Sequence, residues 1–273
     1  MNITGLLFII ILILLLVLRV LFSIYHKREL LDERISVAQK QLVGTRKKQE
    51  DSLATIKREN KLLAVIADGM GGLDSGEKAS NLAVETFLEE FTRTYNFNSL
   101  QNFLIKTSYL ANQRILNKVE DNRAGTTLLA VLIEDDKCQW LSVGDSNLFI
   151  YQDKLLKEIN QKHTYRNELK KAYRAGEISR AEMLNHPKKN MLTSYLGHED
   201  FNQFEINKTP LEFNKDDRLL LCSDGVTDAL AIRELEDIFD QRFSAQQSSD
   251  LIINRIKEKK LSNQDNATVV IID

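Results

Sequence analysis

The sequence contains little cysteine and proline and no excess of either charge. Only two cysteines, Cys138 and Cys222, occur among 273 residues, which excludes a disulfide framework and a cysteine-based zinc site. Both lie in apolar runs, so we expect buried, reduced thiols and a reducing compartment. Two prolines and 11 glycines exclude a fibrous or low-complexity chain. The 37 basic and 39 acidic side chains leave a net charge of -2, which offers no basic surface for nucleic acid.

One long apolar run stands at the start of the chain. Residues 5–18 include no polar side chain, and residues 3–25 would form a helix of roughly 35 Å, enough to span a bilayer. No Lys or Arg precedes Arg19 and no small-residue cleavage pattern follows, which favours a retained anchor over a signal peptide. The basic segment 26–28 places the following chain in the cytoplasm by the positive-inside rule. The sequence therefore predicts a single-pass protein of the cell (inner) membrane, with residues 1–28 as its anchor.

Residues 29–273 are predicted to form one domain of the α+β class. Apolar residues recur at helical spacing over 77–95 and 100–119, and further helices are predicted near 227–239 and 248–260. Short β-rich runs lie at 62–67, 127–133, 139–143, 148–151, 219–222 and 268–272. Because strands come early and late with a helical pair between them, the pattern favours an antiparallel sandwich flanked by helices over a parallel sheet.

Four aspartates lie at the ends of these apolar runs. Asp68 and Asp224 each follow a run and precede a glycine, Asp145 lies between Gly144 and a serine, and Asp265 comes just before the last run. Each alone is typical of a turn. If the strands lie side by side, however, the four carboxylates converge and raise one another's pKa. Hard divalent cations such as Mg²⁺ or Mn²⁺ relieve that repulsion, so the pattern predicts a metal site.

Two charged segments permit two interpretations each. The segment 46–51, Arg-Lys-Lys-Gln-Glu-Asp, is either a solvated loop or an arginine that grips phosphate, followed by acids that support a metal site. Residues 165–189 are rich in Lys, Arg and Glu, and form either a charged surface helix pair or a segment that selects substrates. The positive charges of this second segment would favour an acidic phosphopeptide.

The order of these motifs resembles that of the metal-dependent PPM (type 2C) serine/threonine protein phosphatases, especially their bacterial members. The resemblance covers roughly residues 35–273. The matching pieces are Arg46-x-x-x-Glu50-Asp51, Ala67-Asp68-Gly69-Met70-Gly71-Gly72, Gly125-Thr126-Thr127, Val143-Gly144-Asp145-Ser146, Ser223-Asp224-Gly225 and Asp265-Asn266-Ala267-Thr268. The region of the bacterial flap, about 160–200, matches through Gly176-Glu177-Ile178, Glu182, His186-Pro187, Asn190, Leu192-Thr193 and Leu196-Gly197.

The resemblance implies an αββα sandwich, with two antiparallel sheets between helical layers. It also implies two Mn²⁺ or Mg²⁺ ions bridged by Asp68. One ion would also be held by the main-chain carbonyl of Gly69, with Glu50 acting through water. The other would be held by Asp224 and Asp265.

The same resemblance implies roles for four further residues. Asp145, together with Asp224, matches a third, weaker metal site, and Arg46 matches the phosphate-binding arginine. Asp51 would orient a ligand without binding metal. His163 lies in a segment that resembles the loop before the flap. A lone histidine is more often structural, so both a structural role and a substrate role are open for His163.

The function implied is that of a membrane-tethered, cytoplasm-facing protein phosphatase. It would hydrolyse phosphoserine and phosphothreonine with a metal-bridged water. A catalytically silent, membrane-anchored binding module on the same fold is the alternative, although no metal ligand of the pattern is missing. A two-metal nuclease is disfavoured by the lack of basic excess. Because the predicted tether is short, a membrane-associated kinase or complex is the expected phosphoprotein substrate.

Overall fold

The computed structural model describes residues 10–22, 35–71, 74–95, 97–120 and 124–273. Residues 10–22 form helix α1, and its large apolar side chains are exposed. Among the described residues, no helix combines the length and the hydropathy needed to cross a membrane. The predicted anchor, residues 1–28, lies partly outside the described residues, at 1–9 and 23–28.

Two antiparallel sheets form the centre of the domain, as predicted. In spatial order, the five-stranded sheet contains β1 (Val37–Leu42), β12 (Ala267–Ile272), β11 (Arg218–Cys222), β7 (Asn147–Gln152) and β8 (Leu155–Glu158). The seven-stranded sheet contains β10 (Leu211–Glu212), β6 (Lys137–Val143), β5 (Leu128–Glu134), β3 (Lys61–Met70) and β2 (Asp51–Arg58), with β4 (Gly125–Thr126) paired to β3 and β9 (Glu205–Ile206) paired to β6.

Helices cover the outer face of each sheet. Helices α2 (Ser75–Arg93) and α3 (Leu100–Lys118) pack on the seven-stranded sheet. Helices α6 (Asp224–Thr227), α7 (Ile232–Phe239) and α8 (Ala245–Glu258) pack on the five-stranded sheet. Helices α4 (Tyr165–Arg174) and α5 (Arg180–Asn185) lie between β8 and β9 in sequence, which confirms the predicted helix pair. The helical layers and the sheets together form the expected αββα sandwich.

The alternation of side chains along β3 explains the layered core. Leu63 and Val65 belong to the cluster that α2 and α3 cover, whereas Leu62 and Ala64 belong to the cluster between the two sheets. Successive side chains of a strand point to opposite faces. A continuous apolar run, and not an alternating one, is therefore needed where both faces of a strand are buried.

The differences from the predicted elements have two causes. Strand β3 continues past the apolar run, because Asp68 pairs with Asp51 in β2 and Gly69 pairs with Thr126 in β4. Asp68 thus lies inside a strand and not after it. Strands β1 and β2 were missed because each lies at a sheet edge, where many side chains are only half buried and polar residues break the apolar pattern.

Candidate active site

One cavity of about 590 Å³, at the Leu42 end of β1, gathers most of the predicted site residues. Its walls include Arg46, Glu50, Asp68, Gly69, Asp145, Asp224 and Asp265, together with Met70, Gly71, Thr127, Asn190, Met191, Leu192, Tyr195 and Asn266. The acids come from both sheets, because the C-terminal ends of β3, β6 and β11 meet the N-terminal end of β12 here. Asp51 and His163 do not line this cavity.

Asp51 lies behind the cavity and ties the two sheets together. Its Oδ2 accepts hydrogen bonds from Ser223 Oγ at 2.8 Å and from Thr268 Oγ1 at 2.7 Å; Ser223 directly follows β11, and Thr268 lies in β12, so both donors come from the side of the opposite sheet. Its Oδ1 has no hydrogen-bond partner among the described residues. Since Asp51 also faces Asp68 across the β2–β3 ladder, it supports the strand that carries the central acid.

The glycines that follow Asp68 and Asp224 allow close approach of the main chain. A Cβ on Gly69 would lie 2.2 Å from the carbonyl oxygen of Gly76, and a Cβ on Gly225 would lie 1.9 Å from that of Asn266. No side chain fits at either position without moving a neighbouring backbone segment. Both glycines are therefore required for the strand ends to meet around the cavity.

The amide side chain of Asn266 makes several of the contacts that hold the loop carrying Arg46. This side chain bonds to the main chain of the loop at three points: its Nδ2 donates to the carbonyl oxygens of Val43 at 2.8 Å and Lys48 at 2.9 Å, and its Oδ1 accepts from the N–H of Glu50 at 2.8 Å. Asn266 was part of a recognised motif, but its role in shaping the loop is visible only in the folded chain.

Arg46 and Asp265 form an ion pair at the mouth of the cavity. The Nη2 of Arg46 lies 2.5 Å from Oδ2 of Asp265, and the Arg46 side chain is 54% exposed. Burial raises the pKa of Glu50, and the nearby Arg46 charge opposes that shift. The guanidinium therefore lies beside the acids, with part of its surface open to an incoming anion.

Burial and mutual repulsion dominate the electrostatics of the deeper acids. Burial, reinforced by Asp51 and Asp224, raises the pKa of Asp68 well above its usual value. Burial and then the neighbouring Asp145 raise the pKa of Asp224 to about 7. Burial also raises the pKa of Asp145, against the opposing charge of Lys162. The cluster thus places negative charge where water cannot screen it well.

The donor set fits hard divalent cations. In the part of the chain that the structure describes, no three His, Cys, Asp or Glu residues form a ready set of metal ligands. Carboxylates without a counter-ion repel one another, and Asp265 is engaged by Arg46. An oxygen-ligated Mg²⁺ or Mn²⁺ matches both the donor type and the excess of buried negative charge.

His163 holds the turn that carries Asp145. The ring Nδ1 of His163 accepts a hydrogen bond from the main-chain N–H of Gly144 at 3.3 Å. The main-chain N–H of His163 donates to the carbonyl oxygen of Gly144 at 2.7 Å. Its carbonyl oxygen accepts from the N–H of Thr193 at 2.9 Å. Burial lowers the pKa of His163, which favours the neutral ring that can accept a hydrogen bond. These contacts support the structural role left open by the sequence.

The predicted flap contributes one wall of the cavity. Thr164 pairs with Leu192, and the N–H of Tyr165 donates to the carbonyl oxygen of Met191 at 2.9 Å, which fixes the cavity-lining segment against the start of α4. Met191 and Tyr195 line the cavity but were not predicted as site residues. Neither carries a charge or a motif that would have marked it in the sequence.

Sequence comparisons identify a protein family. The family model described as protein phosphatase 2C matches residues 43–263. The chain is also similar to the serine/threonine phosphatase stp of Listeria monocytogenes. The two are 31% identical over 223 residues, which cover 79% of this chain and 86% of that protein.

Solved structures share the same fold. The S. agalactiae serine/threonine phosphatase has a TM-score of 0.77 at 23% identity, covering 87% of this chain and 98% of that one, and it supports the fold alone. The catalytic domain of serine threonine protein phosphatase PstP, solved in complex with two manganese ions, has a TM-score of 0.72 at 26% identity, covering 88% of this chain and 97% of that one. On the family match and the Listeria relative, the chain belongs to the protein phosphatase 2C family and is a phosphoprotein phosphatase.

Proposed function

We propose that the protein hydrolyses phosphoserine and phosphothreonine in protein substrates, with two Mn²⁺ or Mg²⁺ ions and a third, weaker ion. One observation carries this proposal: a single cavity brings Arg46 beside five acidic residues drawn from both sheets. Such a cavity combines a phosphate-binding cation with ligands for hard metals, which are the two parts that phosphoryl transfer to water requires.

The proposed ion ligands are Asp68, Asp224 and Asp265, with Glu50, Asp145 and the main-chain carbonyl of Gly69. Bound divalent ions supply an activated water near neutral pH. The chain's own part is to hold these oxygens together in a half-buried cavity, where opposite charges attract more strongly than they do in bulk water. Asp51 supports this arrangement from behind, because its bonds to Ser223 and Thr268 keep the two sheets in register.

Arg46 is proposed to bind the phosphoryl group. A guanidinium presents paired N–H donors that match two phosphate oxygens, and it stabilises the negative charge that is spread over them during transfer. A cysteine nucleophile is not part of the proposal. Both cysteines are buried away from this cavity, and burial raises the pKa of each thiol to about 12.

The test uses the full-length protein and a phosphothreonine peptide. We expect hydrolysis with Mn²⁺, no hydrolysis with EDTA, and loss of hydrolysis in Asp224→Asn with the fold retained by circular dichroism. Activity that survives both EDTA and Asp224→Asn would contradict the site. A folded protein that binds Mn²⁺ but hydrolyses no phosphopeptide would instead favour the catalytically silent binding module.

We further propose that residues 1–28 anchor the protein in the cell (inner) membrane, with the domain in the cytoplasm. The apolar side chains along α1 are exposed, with exposed fractions of 55% for Ile10 and 69% for Phe22. A helix with such a surface is suited to an apolar environment such as a bilayer, which supports the proposed anchor. The chain enters the domain at Ser36, where the N–H bonds to the carbonyl oxygen of Asp273. That point is one strand, about 20 Å, from the catalytic cavity.

This distance bears on the substrate. A cavity at the far end of β1 from the tether favours phosphorylated segments that stand clear of the bilayer, such as the cytoplasmic part of a membrane-associated kinase or complex. Cell fractionation tests the anchor. The full chain should stay with membranes after alkaline carbonate, whereas Leu14→Asp/Leu15→Asp should be released. Recovery of the unmodified chain in the soluble fraction would contradict the anchor.

A further inference from the structure

The flap segment carries positive charge on a chain that is otherwise acidic. Residues 161–190, the larger part of the flap, contain eight Lys or Arg and three Asp or Glu, a net charge of +5, whereas the whole chain has a net charge of -2. The remainder therefore carries -7. Such a separation directs anionic partners to one side of the molecule.

Part of this charge lines a groove distinct from the catalytic cavity. The groove measures about 330 Å³ and is lined by Glu158, Asn160, Gln161, Lys162, Asn167, Lys170, Lys171 and Arg174. The four residues from α4 are spaced i, i+3, i+4 and i+7, so they form one face of the helix. Leu169 is the buried residue of α4, whereas Lys170, Lys171 and Arg174 are exposed and line a concave surface together with Asn167.

The groove has more positive charge than its own acids neutralise. Lys171 Nζ is paired with Glu168 at 2.9 Å, and Glu158 accepts a hydrogen bond from Asn147 at 2.7 Å. Within the described residues, no carboxylate lies at ion-pair distance from the other three cations, which are Lys162, Lys170 and Arg174. Lys170 and Arg174 are therefore available to an external anion, and Lys162, which donates to Asn147, can add its charge to theirs.

The groove and the catalytic cavity share a wall. Lys162 Nζ donates to Asn147 Oδ1 at 3.0 Å, and Asn147 lies two residues beyond Asp145. His163 holds the same turn through Gly144. The segment 158–163 thus forms the floor of the groove and the support of a turn that lines the cavity. The two sites are therefore neighbours, separated by the turn that carries Asp145.

We propose that this groove is an anion subsite of the phosphatase, with Lys162, Lys170 and Arg174 as its specificity-determining residues. It takes a second anionic side chain, phosphorylated or carboxylic, from a protein segment whose phosphoserine or phosphothreonine occupies the catalytic cavity. The inference rests on the proposed function. A protein segment is favoured over an anionic lipid surface, because the chain enters the domain at Ser36, at the end opposite to the cavity.

The test compares phosphothreonine peptides on the full-length protein with Mn²⁺. At successive positions on either side of the phosphothreonine, the peptides carry a neutral residue, glutamate or phosphoserine. Hydrolysis of p-nitrophenyl phosphate, which has no peptide, measures the basal rate. We expect kcat/KM to rise about tenfold for a second anion within one window of spacing, and the gain to shrink with added salt. In Lys170→Gln/Arg174→Gln the ratio between doubly and singly anionic peptides should fall to near one. Because the readout is a ratio within one preparation, it cancels changes in basal rate.

A matched control lies in the same segment. Arg180→Gln/Lys188→Gln removes two exposed cations outside the groove, and it should keep both the peptide ratio and the basal rate. A gain for phosphoserine alone identifies a phosphorylated neighbour, and an equal gain for glutamate identifies an acidic one; both support the subsite. If both double variants lost the preference for doubly anionic peptides equally, the subsite would be overturned, and the preference would be due to general electrostatic attraction by the segment.

Three further outcomes would also overturn the subsite, and they can be told apart. The unmodified protein could hydrolyse p-nitrophenyl phosphate and the singly phosphorylated peptide without preferring any second anion, in which case the proposed function stands and only the subsite fails. Binding to phosphatidylserine vesicles that Lys170→Gln/Arg174→Gln abolishes, without a peptide preference, would assign the groove to lipid. Absence of all hydrolysis would overturn the proposed function together with the subsite.

Discussion

The two ends of the sandwich hold aspartates in opposite circumstances. At the end that carries the candidate site, Asp68 and Asp224 are half-buried among other acids, and their pKa values are raised. At the other end, Asp217 is buried, at 5% exposure, but its carboxylate accepts three hydrogen bonds, from the main chain and side chain of Asn214 and from the side chain of Gln152. A buried acid supplied with donors stabilises a turn, whereas half-buried acids that face one another are suited to bind cations.

The volume of a cavity does not indicate which end of the sandwich carries the candidate site. The opposite end holds the larger cavity, about 1240 Å³. Its buried Arg218 is already engaged by Asp273 at 2.5 Å, by Ser248 at 3.0 Å and by the ring of Phe239 at 4.5 Å. In the smaller cavity Arg46 is paired with Asp265, but Asp68 and Asp224 lie among acids that raise their pKa values, and for this reason we propose the smaller cavity as the functional one. The following predictions test this contrast between the ends.

The largest effect is expected from Asp68→Asn. Turnover of a phosphothreonine peptide should fall about 1,000-fold or more, because the central acid of the cluster is lost. The same change removes a buried charge that its neighbours repel, so in EDTA the variant should unfold at a higher temperature than the parent. Steady-state kinetics and thermal unfolding measure the two effects.

The control at the other end is Asp217→Asn. This change removes charge from a carboxylate that satisfies three donors, so the free energy of unfolding should fall by about 1–3 kcal/mol. Turnover should match that of the parent. If the two substitutions affected activity equally, the distinction between the ends would be lost.

In the absence of metal, we expect the free energy of unfolding to depend on pH, by an amount comparable to the loss expected in Asp217→Asn. Asp224 has a pKa of about 7 in the folded chain against a usual value of 3.8, so the folded state binds more protons between these limits. The free energy of unfolding should therefore fall as pH rises from about 4 to about 7, by at most about 4 kcal/mol from this group. Mn²⁺ should stabilise the protein more at high pH, since it replaces those protons. Urea unfolding in EDTA that showed greater stability at pH 8 than at pH 5 would contradict this sign.

A smaller loss is expected from Arg46→Lys. A lysine keeps the positive charge but loses the paired donors that match two phosphate oxygens, so kcat/KM for a phosphopeptide should fall about 10- to 100-fold. Lys47→Gln, an exposed change in the same loop, serves as the control and should act like the parent. If Arg46→Lys matched the control, phosphate binding by this residue would be refuted.

The smallest effect is expected from His163→Leu. Loss of the acceptor for the N–H of Gly144 should loosen the turn that carries Asp145, lowering kcat/KM by about 3- to 10-fold and weakening Mn²⁺ binding. His163→Asn, whose Oδ1 can replace Nδ1 as acceptor, should restore most of both. Failure of this rescue would point to a direct substrate role for His163.

The sequence was sufficient for the fold class, and it named most of the charged residues that meet in the candidate cavity. Helical periodicity located α2, α3 and α8 to within a few residues, because a face that is buried along several turns repeats regularly. Continuous apolar runs located the central strands. The edge strands β1 and β2 were not predicted, since each is stabilised by pairing with a neighbouring strand, β12 or β3, more than by an apolar pattern of its own.

The residue types of the candidate site can be read from short sequence motifs, whereas their arrangement in space cannot. The acids and Arg46 were recognisable because short motifs carry the residue types that bind metals and phosphate. The sheet register then placed Asp51 opposite Asp68 and gave Asp51 a bracing role between the sheets. Folding likewise assigned His163 to the Gly144 turn, brought Met191 and Tyr195 to the cavity wall, and turned one face of α4 into a basic groove. These features depend on contacts between distant segments, which form only when the two sheets and their covering helices pack together.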